Sequence, residues 1–484
     1  MKHLRSILSF ALCLALCLAL GCGAFASGEP SGEASGETVA VNVQIDPVNT
    51  AGGEMTIDSQ VILSTGSSAI QNAGDSDLTV RNSYIVGSTT ALTEPLTGNP
   101  GNLLVAGSIR TTLAIGHAHS YYVNSTIVSQ NWAALSTDAA EPALEEGEEE
   151  LSLYAYNTVA ITADGGYGAY SDLFCNLFSY GSHIQAAEIG IISGTYGRVV
   201  VGTIADGETD AAMAAHLTEA DKAAQPNKDL GSVISGGRNA IMIHSVNLPP
   251  YWAYEGYAQD ELPLYATDVT VNGSTLATDL TLDQGVAYDA QKQAYIDHTA
   301  GSVILIKSTN TDIQLTDSVL SADPKGTGAI LHSVYNNDTM FMNTVPDGVT
   351  YPGMAITMTD MDVTGDVIDE DYQRDMYLTL AGSTLTGAVN YYDCAHWNEV
   401  AQAEGFTNYA LDAAYETVHG THLALTDGSV WNVTAQSTLL GLTIDGTSSV
   451  NGTMTVDGVQ TAPVPGVYEG VIVLTPAASS SLAS

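Results

Sequence analysis

The sequence predicts an all-β chain wound as a single-stranded parallel β-helix, a solenoid of about 22 residues per coil with a few loop insertions. Three observations predict it. No long stretch sustains a 3.6-residue apolar period. Short runs rich in Val, Ile, Thr and Tyr recur instead, separated by Gly, Asn, Asp and Ser, as in Leu78-Thr79-Val80, Ser125-Thr126-Ile127-Val128, Arg198-Val199-Val200-Val201 and Ala240-Ile241-Met242-Ile243. In the C-terminal half these runs fall into frame at a step of 22 residues, with Met358 on Leu380, Val363 on Leu385, Gly365 on Gly387 and Val367 on Val389. Leu315 and Leu320 keep the frame 43 residues earlier, roughly two steps, and Leu423 to Thr434 repeats it further on. The tail from Ser437 continues in shorter steps. Each coil would hold about three short strands, with identical positions stacked at ~4.8 Å and columns of Val, Ile, Leu and Met facing inward.

The elements follow in chain order. Lys2 and Arg5 precede an apolar run from Ile7 to Leu20, and Ala24-Phe25-Ala26 supplies an A-x-A site, so residues 1–26 read as a secretory signal peptide. The run is short for a membrane span. A lipoprotein signal ending at Cys22 is the alternative. Residues 27–39, rich in Ser, Gly and Glu, read as a linker, 40–475 as one β-helix domain, and 476–484 as a flexible tail. Asp138 to Glu150, an acidic run, and Glu208 to Leu230, which contains helix-compatible sequence, read as insertions on the solvent side of the coils.

Composition narrows the function. With 54 acidic and 12 basic residues the formal net charge is −42, which excludes phosphate-backbone binding as a primary role and disfavours docking on anionic lipid. The expected partner is an extracellular glycan or a host or cell-surface protein, not nucleic acid, with no integral membrane segment after cleavage. Calcium is the ion that so many carboxylates would suit, although no D-x-D-x-D-G loop marks a site. Beyond the leader only Cys175 and Cys394 remain, so this is no disulfide scaffold. At 22 residues per coil they stand roughly ten coils, or about 48 Å, apart, which predicts two free, inward-facing thiols.

The coils from Thr421 to Gly458, with Gly428-Ser429-Val430-Trp431-Asn432-Val433 followed by Ser437-Thr438-Leu439, resemble those of autotransporter passenger domains. More broadly the chain resembles the pectate-lyase-like right-handed parallel β-helix superfamily. The resemblance implies a right-handed coil. It also implies two kinds of activity, since that superfamily includes adhesins as well as polysaccharide lyases and hydrolases. An adhesin-like binding or structural role, secreted or at the bacterial cell surface, is the leading expectation; a lyase or hydrolase acting on acidic glycans is the alternative.

Candidate chemistry concentrates between Asp164 and Arg238. Asp164, Asp172, His183, Arg198 and Arg238 supply the carboxylates, imidazole and cations that a lyase uses to neutralise a uronate and remove the adjacent proton. The same residues would serve equally as turn formers and ion pairs of stacked coils. Tyr251, Trp252, Tyr254 and Tyr257 form an aromatic loop suited to stacking on sugar faces. Ala294-Tyr295-Ile296-Asp297-His298 resembles a strand motif of pectate lyases over a few residues, without its companion arginines. His117 and His119 could share a metal from one strand face, as could His419 and His422, but spacing identifies no third ligand.

Overall fold

A computed structural model describes residues 42–44, 48–65, 68–88, 110–138, 151–172, 174–194, 196–244, 267–283, 298–307, 310–334, 353–371, 374–392 and 418–477. The chain is mostly strand, and the long ladders are parallel. Through most of the chain a strand pairs with the third strand before and after it, so three ladders run along the molecule. The first begins at Asn42–Gln44 and Gln60–Thr65 and runs to Val319–Ser321, with Asp362–Thr364, Thr384–Gly387 and Val430–Val433 paired beyond it. The second runs from Gly53–Asp58 through His119–Val123 and Arg198–Gly202 to Thr421–Thr426. The third includes Trp132–Ser136, Gly166–Ser171, Ile189–Ser193, Asn239–His244, Ile304–Lys307, Ala329–Val334, Asp366–Glu370 and Val389–Tyr391. This register is compatible with a parallel β-helix or solenoid.

The 22-residue frame is real where the coils are plain. Met358 pairs with Leu380, Val363 with Leu385 and Val367 with Val389. The 43-residue interval is not two coils, however. Leu315 pairs directly with Met358, and Leu380 with Leu425, so each of these longer intervals is a single coil carrying an excursion. A solenoid fixes only the residues in its ladders, and a corner can lengthen without disturbing them. Five coil steps lead from Asn176 to Tyr377, where a uniform 22-residue coil would require about nine. Cys175 is buried and free; Cys394 lies outside the described residues.

One corner explains why the strands end where they do. After the second-ladder strands, Asn82, Asn124, Asn157, Asp317 and Asp360 adopt φ of 45–53°, and Gly181, Gly273 and Gly382 adopt 54–62°. Asn, Asp and Gly tolerate this left-handed backbone best. The next residue is almost always Ser or Thr, and its hydroxyl has two tasks. It donates to the carbonyl two residues back, as Ser83 does to Arg81 (2.7 Å) and Ser125 to Val123 (2.9 Å). It also accepts the backbone N–H of its counterpart in the preceding coil. Ser83, Ser125, Thr158, Ser182, Ser232, Ser274 and Ser318 form one such file, with N···O distances of 3.0–3.4 Å. Met361 interrupts it, and Ser383 and Ser429 resume it.

Inside the ladders one apolar core runs from Val48 to Leu474. At its C-terminal end Ser437–Ile444 and Ser449–Val456 pair antiparallel with Gly466–Pro476. That hairpin arrangement closes the last parallel edge, which would otherwise offer free N–H and C=O groups to another chain.

The helical insertion starts earlier than expected, immediately after Gly202. It consists of Ile204–Thr209, Ala211–Ala215 and Glu219–Ala223. Thr203 with Asp206, and Thr218 with Asp221, form capping boxes. The insertion packs on the outer face of the second ladder, over a stack of Tyr121, Tyr154 and Phe178 with ring centroids 4.8 and 4.5 Å apart. His216 caps the stack at 3.5 Å from Tyr121. Tyr156 donates to Glu208 (2.9 Å), Tyr180 donates to Asp210 (2.6 Å), and Arg81 pairs with Asp221 (2.8 Å). Among the described residues no helix is long and apolar enough to cross a membrane. Residues 1–41, where a signal peptide and linker are expected, and the acidic run 139–150 lie outside the described residues.

Candidate functional site

The third ladder has a core column of Ile191, Ile241, Ile304, Leu331, Val367 and Val389. Side chains alternate along a strand. The adjacent column therefore faces away from the core: Ser136, Tyr170, Ile192, Met242, Leu305, His332, Ile368 and Asn390. Although outward, Leu305 and His332 are each only 1% exposed, so other parts of the chain cover this part of the face.

Four of the five predicted catalytic residues flank this face. Asp164 precedes the strand Gly166–Ser171 and Asp172 follows it. Arg238 stands two coils on from Asp164 at the same corner, and Arg198 opens the second-ladder strand one coil on from Asp172. His183 does not join them, because it opens a first-ladder strand at the third corner. Burial lowers its pKa, partly opposed by Gln185. Arg238 is buried and engaged by Glu188 (3.4 Å) and Asp283 (2.9 Å). Arg198 lies over the Phe178 ring at 5.7 Å and beside Asp268 in register. Gln130 donates to Asp164 (3.3 Å).

Between these flanks sits a ring cluster in which Trp132 joins Tyr167 and Tyr170 of the same Asp164–Arg198 segment. Trp132, Tyr167 and Tyr170 are half-buried, with centroids 5.1–6.1 Å apart. The Arg110 guanidinium covers Trp132 at 4.1 Å and pairs with Asp138 (3.2 Å). Burial lifts the Tyr167 phenol to about 12, with Glu188 raising and Arg238 opposing. Burial, then Asp172, raises Tyr170. Both phenols therefore stay neutral hydrogen-bonding groups across the physiological range. The predicted aromatic loop, Tyr251, Trp252, Tyr254 and Tyr257, lies outside the described residues, in the connection between Asn239–His244 and Thr267–Asn272.

Further along the same face the ionisable groups gather again. His298 and His332 flank Glu370, and these three are the set among the described residues whose ligand atoms converge closely enough for a metal ion. Burial alone would raise the Glu370 carboxyl, but hydrogen bonds from both imidazoles hold it down at about 2. Burial pushes neighbouring Asp369 up to about 7, against hydrogen bonds from Ser333 (2.5 Å) and Thr421 (2.9 Å). His419 and His422 approach Asp375 at 3.4 and 3.7 Å instead. His119 opens its strand in register with Asp77 and Ser152. Comparison with protein-family models, with curated proteins and with solved structures finds no match to this chain.

Proposed function

We propose that the chain is an exported right-handed β-helix of the pectate-lyase-like type, secreted or held at the bacterial surface, that works as an adhesin-like binder of an extracellular glycan. Right-handed crossover is the rule for parallel strands within one sheet. The observation that carries the binding reading is the Trp132–Tyr167–Tyr170 cluster on an outer ladder face, with Arg110, Asp138 and Asp172 at its rim. Aromatic rings stack on the C–H faces of sugars while rim groups hydrogen-bond the hydroxyls. The net charge of −42 repels polyanions, so a neutral glycan is the favoured partner.

The test is retention of the chain lacking residues 1–26 on immobilised neutral and acidic polysaccharides. Trp132→Ala is expected to weaken binding to the retained glycan by roughly tenfold or more, as for loss of a central aromatic anchor. Unchanged retention by that variant would remove the cluster from the binding surface. The same panel is read for unsaturated or reducing-end products. Cleavage abolished by Asp172→Ala would replace the binder by the lyase or hydrolase reading, whose support is that Asp164, Asp172, Arg198 and Arg238 flank the same face.

A further inference from the structure

We infer that His298, His332 and Glu370 form a binding site for one divalent transition-metal ion of the zinc class. The inference does not depend on the glycan reading. The three side chains come from three separate parts of the chain. His332 lies in Ala329–Val334 and Glu370 ends the next third-ladder strand, Asp366–Glu370, in register with Val334, so the ladder sets the two as diagonal neighbours. His298 enters from the turn that precedes Ile304–Lys307. His298 Nε2 stands 2.6 Å and His332 Nε2 3.1 Å from the same carboxylate oxygen, Glu370 Oε2. All three ligand atoms lie within 4.8 Å of one another. Tetrahedral zinc with bonds of ~2.0–2.1 Å separates its ligand atoms by about 3.4 Å, so admitting it requires the carboxylate to draw back by less than about 1 Å and the two imidazole nitrogens, within 4.8 Å of each other, to close by at most about 1.4 Å.

The donor set selects the ion class. Two imidazoles and one carboxylate suit zinc and its first-row neighbours, whereas calcium and magnesium require oxygen cages. Three protein ligands leave at least one coordination position for water or a ligand. The environment is dry: Glu370 is 4% and His332 1% exposed by side chain, while His298 at 19% gives an approach from outside.

The surroundings support ligation as well. Ser302 Oγ lies 3.1 Å from His332 Nδ1 and 2.8 Å from Thr327 Oγ1. A hydroxyl can donate to Nδ1 or accept from it. An imidazole protonated on Nε2 would donate to Glu370, whereas His332 ligating a metal through Nε2 would carry its proton on Nδ1, where Ser302 can accept it. Such an outer partner orients a ligating histidine and fixes its tautomer. The competing account is a hydrogen-bonded knot in which Glu370 accepts from two imidazoles and no ion ever enters.

The experiment uses the full chain, stripped with chelator and dialysed against Zn2+ at neutral pH, with bound metal measured by elemental analysis. One zinc per chain is expected, together with visible d–d bands of tetrahedral intensity when Co2+ replaces it. Glu370→Gln preserves size and hydrogen bonding, and His298→Ala alters a partly exposed residue. Each is expected to weaken zinc binding by roughly 100-fold, the upper range for loss of even an outer-shell partner, with circular dichroism unchanged. His422→Ala, outside the cluster, is expected to keep the ion. Failure of the unmodified chain to retain zinc, or retention undiminished in both Glu370→Gln and His298→Ala, would overturn the site in favour of the hydrogen-bonded knot.

Discussion

The helical insertion is attached to the coils by a small number of buried polar contacts, and Arg81→Met tests the largest of them. Arg81 donates to Asp221 Oδ2 (2.8 Å) and to the carbonyl of His216 (3.1 Å), linking residues 140 positions apart. The Asp221 side chain is only 4% exposed. Removing one partner of a buried pair usually costs about 3–5 kcal/mol. Here Asp221 still accepts from Thr218 N (2.8 Å), Thr218 Oγ1 (2.7 Å) and Asn124 Nδ2 (3.0 Å), so the stranded charge is partly solvated by the protein. A net loss of roughly 2–3 kcal/mol follows. The three helices have five or six residues each, too few to persist undocked. The loss should therefore appear as local opening of the insertion, with its open population raised about 30- to 150-fold. Hydrogen–deuterium exchange read by mass spectrometry reports it directly. Peptides covering 204–224 should exchange faster by that factor, while the coils around Ile356 and Leu378, which share no contact with the insertion, keep their protection. Arg81→Met with Asp221→Asn should recover most of the loss, since no charge is then left unpaired. A change below threefold in 204–224, or equal loss of protection along the whole solenoid, would refute the idea of a separately docked insertion.

Two further outcomes follow from the same physics. His216 has its pKa lowered mainly by burial, with Arg81 and His119 lowering and Asp77 and Glu54 opposing. Its folded pKa thus lies below the unfolded value of about 6.5, so the open state binds the proton better and docking is favoured above that pH. Exchange in 204–224, corrected for intrinsic rate, should rise as pH falls through about 6.5, and His216→Gln should flatten that dependence. In the hydroxyl file, Ser182→Ala leaves the buried N–H of Thr158 without its 3.0 Å acceptor and should cost about 1–3 kcal/mol; a denaturation midpoint unmoved by the substitution would show that the file does not bear on stability.

How much of this was legible beforehand can be judged residue by residue. The pairing of Met358 with Leu380 and Val367 with Val389 was readable because nothing interrupts those coils, so sequence distance and spatial step coincide. Leu315 and Met358 looked two coils apart because an excursion adds residues without adding rise. The Asn-Ser, Asn-Thr, Gly-Ser and Asp-Ser pairs after successive strands are a sequence signal for the corner, since only left-handed-tolerant residues fit there and the hydroxyl must follow. Of the candidate site, Arg198 and Arg238 stand out by the scarcity of arginine and Asp164 and Asp172 by clustering near them, and their corners border one face. Trp132 and Arg110 carry no such mark.

Composition, alternation and repeat spacing were enough to establish an acidic, strand-built chain with an inward apolar column, because those properties are set by each residue and its near neighbours. The meeting of His298, His332 and Glu370, of Arg81 with Asp221, and of Trp132 with Tyr170 was decided by the tertiary structure alone. Those contacts depend on how many residues each corner inserts between ladder positions. A parallel ladder brings together whatever residues its register dictates, whether they are 22 positions apart, as Met354 and Met376, or 70, as Arg198 and Asp268.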